Sequence, residues 1–471
     1  MFSRLKRRIR ILWLRHDIAK DVHLSVGSRK TQFRGWGYFD ERWDGYPRVL
    51  MAAGHGYGNV GDEAQCGACV QRWRSVAPGC KITLFSPSPP YTEALHNEKC
   101  EWAPRVAWFR ANTDNLYFGD WENFEREFWK LRRRLIWSVE LMRRGVKLSF
   151  LCPRESSVIN CLLQHDILHI SGGGFLTGKT RSRLWENCLL MEVCALLGIP
   201  YILTGHNIGV FEDEKDKNVA RRGLLNARYI GLRDRGISEN ELNATGICGS
   251  HIESTCDDAL LCPRADNEIV RSQILKNNGD SDKSWVAVNC HYWGQSEVDK
   301  PKFTKQFALI CDHIASQLKM QVVFIAMTPT DADCANDVIK EMRQSAVKIP
   351  YCPDFRVVRG IIADSVFIFT MKHHPIVFAQ GESVPVVCVA LDDYYFHKNR
   401  GALDNTGHTK FLLNGEEFYG ETFKNKIDQV IQQKSTITKE MRTWVEAMRK
   451  IELNPYKRVI TMIGGSREPL C

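Results

Sequence analysis

Residues 361–391, IIADSVFIFTMKHHPIVFAQGESVPVVCVAL, contain the pattern of a strand, a turn, a helix and a second strand. A short run of β-branched and aromatic residues, 366–369, stops at three potential cations, Lys-His-His at 372–374. Pro375 suits the first turn of a helix, where its missing N–H breaks no hydrogen bond. Because residues 384–389 predict the next buried strand, the stretch is a βαβ unit.

Ligands of βαβ units lie outside the carboxyl ends of the strands, where this turn falls. The free N–H groups at the start of the helix are expected to converge there with the ammonium of Lys372 and the imidazole of His374. We interpret the turn as an anion site that also holds a proton donor.

Length and charge limit the class of protein. A chain of 471 residues suggests two domains, and 64 Lys and Arg against 55 Asp and Glu give a charge of +9. This excess favours anionic ligands or an anionic surface, but no basic run has the pattern of a nucleic-acid-binding protein. Seventeen scattered cysteines without a convincing signal peptide predict reduced thiols and a cytoplasmic location.

The chain divides into four segments by composition. Residues 1–46 are basic and amphipathic, and they fit equally a helix on the inner face of an anionic membrane and a tail packed on the protein. Residues 47–265 predict a first α/β domain, and the polar stretch that follows marks the boundary. Residues 284–435 predict a second one, and the helical segment 436–471 could cross back to the first.

Two glycine-rich loops follow predicted strands of the first half. The loop GHGYGNVGDEA, residues 54–64, has fixed acids, which suit the hydroxyl of a neutral substrate better than a phosphate and make Asp62 a candidate base. Three consecutive glycines, 172–174, follow the strand 166–170. Bare backbone after a buried strand favours a ligand lying over the loop.

A long helix is predicted from Trp121 to Arg144, with an apolar stripe that includes Phe124, Phe128 and Leu131. A stripe facing the core is the simpler interpretation, and a basic, aromatic membrane contact is the alternative.

Arg233 stands at the carboxyl end of the predicted strand 229–232, where a guanidinium can clamp a carboxylate or phosphate with two hydrogen bonds. An ion pair with Asp234 is the alternative role. Cys66 and Cys69 form the only CxxC, without a second pair at zinc spacing, so we predict no metal site.

Taken in order, these motifs resemble the polysaccharide pyruvyl transferase family over about residues 48–395. The stretches that carry the resemblance are GHGYGNVGDEA at 54–64, DILHISGGGFLTG at 166–178, YILTGHNIG at 201–209, IGLRDRGISE at 230–239, DDAL at 257–260 and the segment TMKHHPIVFAQGESVPVV from Thr370.

The resemblance implies a GT-B-like fold, in which two Rossmann-like α/β domains face a cleft. It also implies transfer of pyruvate from phosphoenolpyruvate to a sugar of a polysaccharide or glycan precursor, as a cyclic ketal with release of phosphate. Phosphoenolpyruvate is then a substrate, no cofactor is needed, and the expected setting is synthesis of a cell-envelope exopolysaccharide, at the inner membrane face if the acceptor is lipid-linked.

The family pattern also implies roles for single residues. Arg233, Thr370, Lys372 and His374 would bind the donor, and His374 would be the catalytic acid. At Lys372 the family has an Arg, so the charge is kept without the planar fork. Asp62 is a candidate base, and the residues expected to bind the acceptor are Gly58, Asn59, Gly61, Asp62, Gly172, Gly173 and Gly174.

Two other functions fit the sequence. The stretch FAQGESVPVV also resembles the donor side of GT-B glycosyltransferases that use nucleotide sugars, although no glycine-rich diphosphate loop follows His374. The other candidate is a non-catalytic relative that binds glycans. The Lys at 372, where the family has an Arg, supports this alternative.

Overall fold

The structure is a computed structural model that describes residues 46–109, 121–146, 149–234, 236–292 and 299–465. These residues form two α/β halves, each built on a parallel sheet, as the sequence predicted. The basic amphipathic segment 1–46 lies outside the described residues except for Tyr46.

The sheet of the first half has eight strands in the order β3-β2-β1-β4-β6-β7-β8, with β5 paired to the far end of β6. Its order reverses between β1 and β4, which is where such sheets bind ligands. The strands are β1 Arg48–Ala52, β2 Lys81–Ser86, β3 Lys99–Trp102, β4 Ile167–Ile170, β5 Gly173–Leu176, β6 Tyr201–Ile208, β7 Tyr229–Leu232 and β8 Ile252–Ser254.

The sheet of the second half has six strands in the order β11-β10-β9-β12-β13-β14. Here the order reverses between β9 and β12, so the predicted turn after β12 stands at the second switch point. The strands are β9 Trp285–Asn289, β10 Gln321–Phe324, β11 Ala346–Lys348, β12 Ile368–Thr370, β13 Val386–Val389 and β14 Leu412–Leu413.

Helices cover both faces of the two sheets. In the first half they are α1 Val60–Val76, α2 Pro89–His96, α3 Pro104–Phe109, α4 Trp121–Arg143, α5 Pro153–Leu163, α6 Arg181–Leu197, α7 Glu214–Leu224 and α8 Ile237–Ala244. The later ones are α9 Asn267–Lys276, α10 Lys300–Gln317, α11 Pro329–Glu341, α12 Phe355–Ala363, α13 His373–Gly381, α14 Asp393–Asp404, α15 Gly415–Tyr419, α16 Thr422–Gln432, α17 Lys434–Ile451 and α18 Asn454–Gly465.

The apolar stripe of α4 faces the core of the first half. Phe124, Phe128 and Leu131 are almost fully buried, and Arg132 beside them forms an ion pair with Glu192. The core-facing interpretation of this helix is therefore confirmed, and the stripe is not free to contact a membrane. Among the helices that the structure describes, none is both long and apolar enough to span a bilayer.

The last helices bring the chain back to the first half. Met441 of α17 still packs in the core of the second half, whereas Tyr456 of α18 packs edge-on against Trp73 of α1. Arg72, one residue before Trp73, binds Glu452 between these helices at 3.0 Å. Residues 436–465 thus join the two halves a second time.

Candidate active site

The loops at the two switch points face each other across the line between the halves. The hydroxyl of Tyr351 donates to the carbonyl of Gly58 at 2.7 Å, and the N–H of Val60 donates to the carbonyl of Met327 at 2.9 Å. Asn59 caps α1 by accepting the N–H of Gly61 at 3.0 Å. Gly58, Asn59 and Gly61, which the sequence assigned to the acceptor, therefore also form the contact between the two halves.

Arg233 is fixed at the carboxyl end of β7 and is only 3% exposed. Its Nε donates to Asn207 at 2.5 Å and its Nη1 donates to Asp257. The alternative role required an ion pair between Arg233 and Asp234. The carboxylate of Asp234 instead accepts hydrogen bonds from Ser238 and Asn207. The remaining nitrogen, Nη2, has no hydrogen-bond partner among the described residues and is left to receive an anion.

Asp257 connects the arginine to the histidines of the second half. Its carboxylate accepts from Gln65 at 3.0 Å and contacts Nε2 of His373 at 3.3 Å. Burial alone would raise the pKa of Asp257, but the positive charge of Arg233 and the bond to His373 outweigh it and hold that pKa well below its ordinary value. Burial, with Arg233 adding to it, lowers the pKa of His373 to about 3, so this imidazole is neutral and donates to Asp257.

His374 lies in the first turn of α13 against the start of α1. A Cβ placed on Gly61 would lie 2.0 Å from Nδ1 of the imidazole, so the ring fits only because Gly61 has no side chain. Nε2 is buried and has no partner in the part of the chain that the structure describes. Burial holds the pKa of His374 well below its ordinary value, since the nearby carboxylate of Asp257 does not compensate for it.

Lys372, which the sequence placed beside His374, has its charge paired inside the second half. Its ammonium is bound within the second half, to Asp331 at 2.7 Å and to the hydroxyl of Thr328 at 3.0 Å. Asp331 also contacts Nδ1 of His291 at 2.9 Å. Burial lowers the pKa of Lys372, against the attraction of Asp331. The charge of Lys372 is therefore largely satisfied before any donor arrives.

Thr370, which the sequence assigned to the donor, is completely buried at the end of β12. Its hydroxyl accepts the N–H of Lys372 at 3.2 Å and lies 3.4 Å from the side chain of Asn289. It therefore shapes the turn from inside and does not face the cleft.

Lys398, on α14, is a cation that the sequence did not single out. A Cβ placed on Gly174 would lie 3.7 Å from its ammonium and 3.1 Å from Nη2 of Arg233, so both nitrogens border the same small space. Its ammonium lies 5.5 Å from the centre of the Tyr394 ring, and no ion pair among the residues that the structure describes includes it. Helix α14 is fixed beside Arg233 because Asn405 donates to the carbonyl of Arg233 at 3.2 Å.

The three glycines after β4 lack a side chain for different structural reasons. Gly172 and Gly173 are buried, and side chains there would meet the carbonyl of Gly205 at 2.9 Å and the ring of Phe175 at 2.2 Å. Packing inside the protein explains both, where the sequence favoured a ligand. Gly174 alone is half-buried and borders the two cations, so a ligand could approach the backbone there.

Asp62 lies on the opposite side of the cleft. Its carboxyl carbon would be 3.0 Å from a Cβ on Gly54, which places it over the loop that follows β1. Burial raises the pKa of Asp62 to about 6, although the positive charges of Arg183 and Lys398 act in the opposite direction. A carboxylate with this pKa can accept a proton from a hydroxyl near neutral pH.

One buried group has the residue types of a metal site, namely Cys69, His169 and Asp258. The hydroxyl of Thr204 occupies its centre, since it contacts Nε2 of His169 at 2.8 Å and donates to Asp258 at 2.6 Å. The other nitrogen of His169 accepts from Trp73 at 3.0 Å. The donors are thus used by hydrogen bonds, and the set does not favour an ion.

Several residues of the site were missed from the sequence. Asp257 falls in DDAL, a stretch already matched to the family, and that match was the available signal for it. Asp331, His291 and Lys398 have no local pattern, because they come from separate elements that only the tertiary fold brings together.

The family model for polysaccharide pyruvyl transferase matches residues 59–393 of this chain. The match begins at Asn59, which caps α1, includes the turn at 370–375 and ends just before Lys398. No curated protein is significantly similar in sequence.

Solved structures with the same architecture share little sequence with the chain. UDP-GlcNAc 2-epimerase from Neisseria meningitidis bound to UDP-GlcNAc is 11% identical with a TM-score of 0.53, over 87% of this chain and all (100%) of that one. A putative UDP-N-acetylglucosamine 2-epimerase from Listeria monocytogenes is 12% identical with a TM-score of 0.54, over 90% and 98%. A glycosyltransferase from Rickettsia africae is 10% identical with a TM-score of 0.50, over 89% and 99%. At these identities the likeness establishes the GT-B-like fold alone.

Proposed function

The chain belongs to the polysaccharide pyruvyl transferase family, and on that premise we propose that it transfers pyruvate from phosphoenolpyruvate to two hydroxyls of one sugar, releasing phosphate and forming a cyclic ketal. One observation supports this proposal most strongly: Nη2 of Arg233 and the ammonium of Lys398 border the same space beside Gly174, close to His374. The acceptor would be a sugar of a polysaccharide or of its precursor.

Phosphoenolpyruvate carries its carboxylate and its phosphate on the same carbon atom. In the proposed complex, Nη2 of Arg233 and the ammonium of Lys398 bind these two groups. The first N–H groups of α13, which begins at His373, add a helix N-terminus to the same site. Lys372 is paired with Asp331, so it adds little net charge to the site.

The reaction begins with a proton added to the methylene carbon of phosphoenolpyruvate, which leaves an oxocarbenium-like centre at the adjacent carbon. A first sugar hydroxyl adds to that centre and gives its proton to a base, for which Asp62 is the candidate. The C–O bond to phosphate then breaks, a second hydroxyl closes the ketal, and the proton of that hydroxyl goes to the departing phosphate. The sum is one phosphate released and one pyruvate joined to the acceptor with loss of water.

His374 is the proposed acid. Without a ligand, burial keeps its imidazole neutral near pH 7. A phosphate dianion beside the ring would favour the imidazolium, so the imidazole would take a proton from solvent as the donor binds and pass it to the methylene carbon.

The direct test is to incubate the purified protein with phosphoenolpyruvate and acceptors that contain galactose, mannose or glucose, and to measure phosphate release and the mass of the acceptor. The proposal requires both phosphate and a gain of pyruvate less water. Thermal stabilisation by phosphoenolpyruvate supports the same donor, whereas stabilisation by uridine or guanosine diphosphate alone would favour a nucleotide-sugar donor. Folded protein that responds to none of these ligands would favour a non-catalytic relative.

Changing Lys398 to Gln is expected to raise KM for phosphoenolpyruvate by about ten- to a hundred-fold, because one charge-assisted hydrogen bond to the donor is lost. KM for the acceptor should not change. Steady-state kinetics measure both values, and K340Q is the matched control, since Lys340 is 74% exposed on α11. An equal change in the two KM values would contradict a role in donor binding.

The rate with limiting acceptor is expected to rise with pH through about 6, because Asp62 acts as a base only when it is ionised and burial raises its pKa to about 6. In Asp62→Asn we expect kcat to fall about a hundred-fold and this limb of the pH profile to disappear. D333N, on the exposed side of α11, is the control. If the rate of D62N still rises with pH through about 6, the rise belongs to another titrating group.

A further inference from the structure

A cavity beside the proposed reaction centre has no role in the steps described so far. It has an empty volume of about 490 Å³, part of it open to solvent, and lies at the carboxyl ends of β1 and β2, where Ala53 and Phe85 line it. Its far wall is α6, which contributes Arg183, Glu186 and Asn187.

The polar groups of the cavity are buried and incompletely paired. Nη1 of Arg105 contacts Oε2 of Glu186 at 3.1 Å, and these side chains are only 9% and 5% exposed. Nε of Arg105 and Oε1 of Glu186 have no partner among the described residues. A buried donor and a buried acceptor left open side by side are costly unless a ligand completes them.

The rest of the lining is apolar, with Phe85, Phe175 and Leu190 among its members. At the mouth, the guanidinium of Arg183 lies over the ring of Tyr57 at 4.4 Å. The cavity lies beside the proposed reaction centre, since Ala53 in its lining is followed by Gly54, the residue that Asp62 overlies. Arg183 also exerts the largest electrostatic effect on Asp62 of any charged neighbour.

We propose that this cavity, lined by Tyr57, Arg105, Arg183 and Glu186, binds a neutral hexose ring of the acceptor and presents it to Asp62. The inference rests on the proposed function for the identity of the ligand as acceptor. The chemistry of the cavity selects the class: a hydroxyl can donate to Oε1 of Glu186 and accept from Nε of Arg105 at once. The apolar wall suits the C–H face of a sugar ring, Glu186 disfavours a carboxylate on the sugar, and the arginines disfavour a cation.

The first experiment measures sugar binding without any donor. Saturation-transfer NMR and calorimetry are applied to the full chain with the methyl glycosides of galactose, mannose and glucose, with lactose and cellobiose, and with glucuronic acid as the charged comparison. At least one neutral sugar is expected to bind, and to bind more tightly than glucuronic acid. Failure of every neutral sugar to bind, or a preference for the acid, would overturn the inference.

Two variants place the bound sugar. N187W fills the cavity from the half-exposed face of α6, and Glu186→Gln replaces the open carboxylate by an amide of the same shape. Both are expected to weaken sugar binding by about ten-fold or more, because a hydrogen-bonded or sterically matched contact is lost. E212Q is the matched control, since Glu212 is 77% exposed and outside the cavity. Undiminished binding in both folded variants would place the sugar elsewhere and overturn the inference.

The measurements on these variants test the hexose site separately from the proposed reaction with phosphoenolpyruvate. Thermal stabilisation by phosphoenolpyruvate should be the same in wild type, E186Q and N187W, whereas KM for the acceptor should rise. If the protein proves not to use phosphoenolpyruvate, loss of sugar binding in the two variants still supports a hexose site. If phosphoenolpyruvate stabilises the protein and no neutral sugar binds, the donor proposal stands and the hexose site fails.

Discussion

Arg233→Lys is expected to lower kcat/KM for phosphoenolpyruvate by about a hundred-fold, and Arg233→Ala by about a thousand-fold or more. Lysine keeps a charge at this position but has neither the planar fork nor the nitrogen Nη2 that is left open in the cleft. Steady-state kinetics with the donor varied at saturating acceptor measure the effect.

Stability has to be separated from this loss, because Arg233 also compensates the buried carboxylate of Asp257. Leaving that charge unpaired would cost about 3–5 kcal/mol of folding free energy in the alanine variant. The lysine variant keeps a positive charge beside Asp257, so its kinetics, together with its melting temperature, distinguish loss of donor binding from loss of stability. R221K, on the exposed face of α7, is the matched control. A folded R233K protein with wild-type kcat/KM would exclude Arg233 from donor binding.

His374→Gln is expected to lower kcat by about a thousand-fold, because the proposed acid is lost while the shape of the side chain is nearly kept. Wild-type protein should also take up a proton when phosphoenolpyruvate binds, since the dianion raises the low pKa of the buried imidazole. Calorimetry in buffers of different ionisation enthalpy measures this uptake, and H374Q should lack it.

Two further variants test whether position matters as well as identity. In G61A the new methyl group would meet the imidazole of His374, so we expect a loss of activity with thermal destabilisation. Combining G61A with H374A should recover most of the lost thermal stability, because the clash is removed. H397A, an exposed histidine on α14, is the control. Normal turnover and normal proton uptake in H374Q would remove His374 from the mechanism.

The sequence predicted the strands that are buried on both faces. Apolar runs bounded by turns predict strands at 48–53, 81–85, 229–232 and 285–290, and β1, β2, β7 and β9 lie within about one residue of these positions. Short edge strands such as Lys99–Trp102 and Ala346–Lys348 were missed, since their composition is mixed. The apolar run 189–197 predicts a helix, but α6 begins eight residues earlier, at Arg181, because polar residues interrupt the apolar pattern of its first half.

The candidate site was predictable where a residue follows a strong strand. Arg233 and His374 do so, and the structure brings both to the line between the halves. Lys372 occupies its predicted turn, but the pairing with Asp331 comes from a helix 41 positions earlier in the chain and could not be inferred locally. Lys398 was missed for the same reason, as its proximity to Gly174 depends on how α14 lies across the cleft.

The double connection between the halves has a consequence for how substrates enter. Arg72 binds the carbonyl of Asp258 at 2.9 Å, near the first crossing of the chain, and Glu452 at the second, so both crossings are held at one point. Any rotation that separates the halves must pivot near this point, where the two chain segments permit bending but not translation. The contacts of Tyr351 with Gly58 and of Val60 with Met327 would open in such a hinge motion. Entry of the donor and re-formation of these contacts would then be one event, in which closure of the hinge brings His374 back against Gly61 beside the substrate.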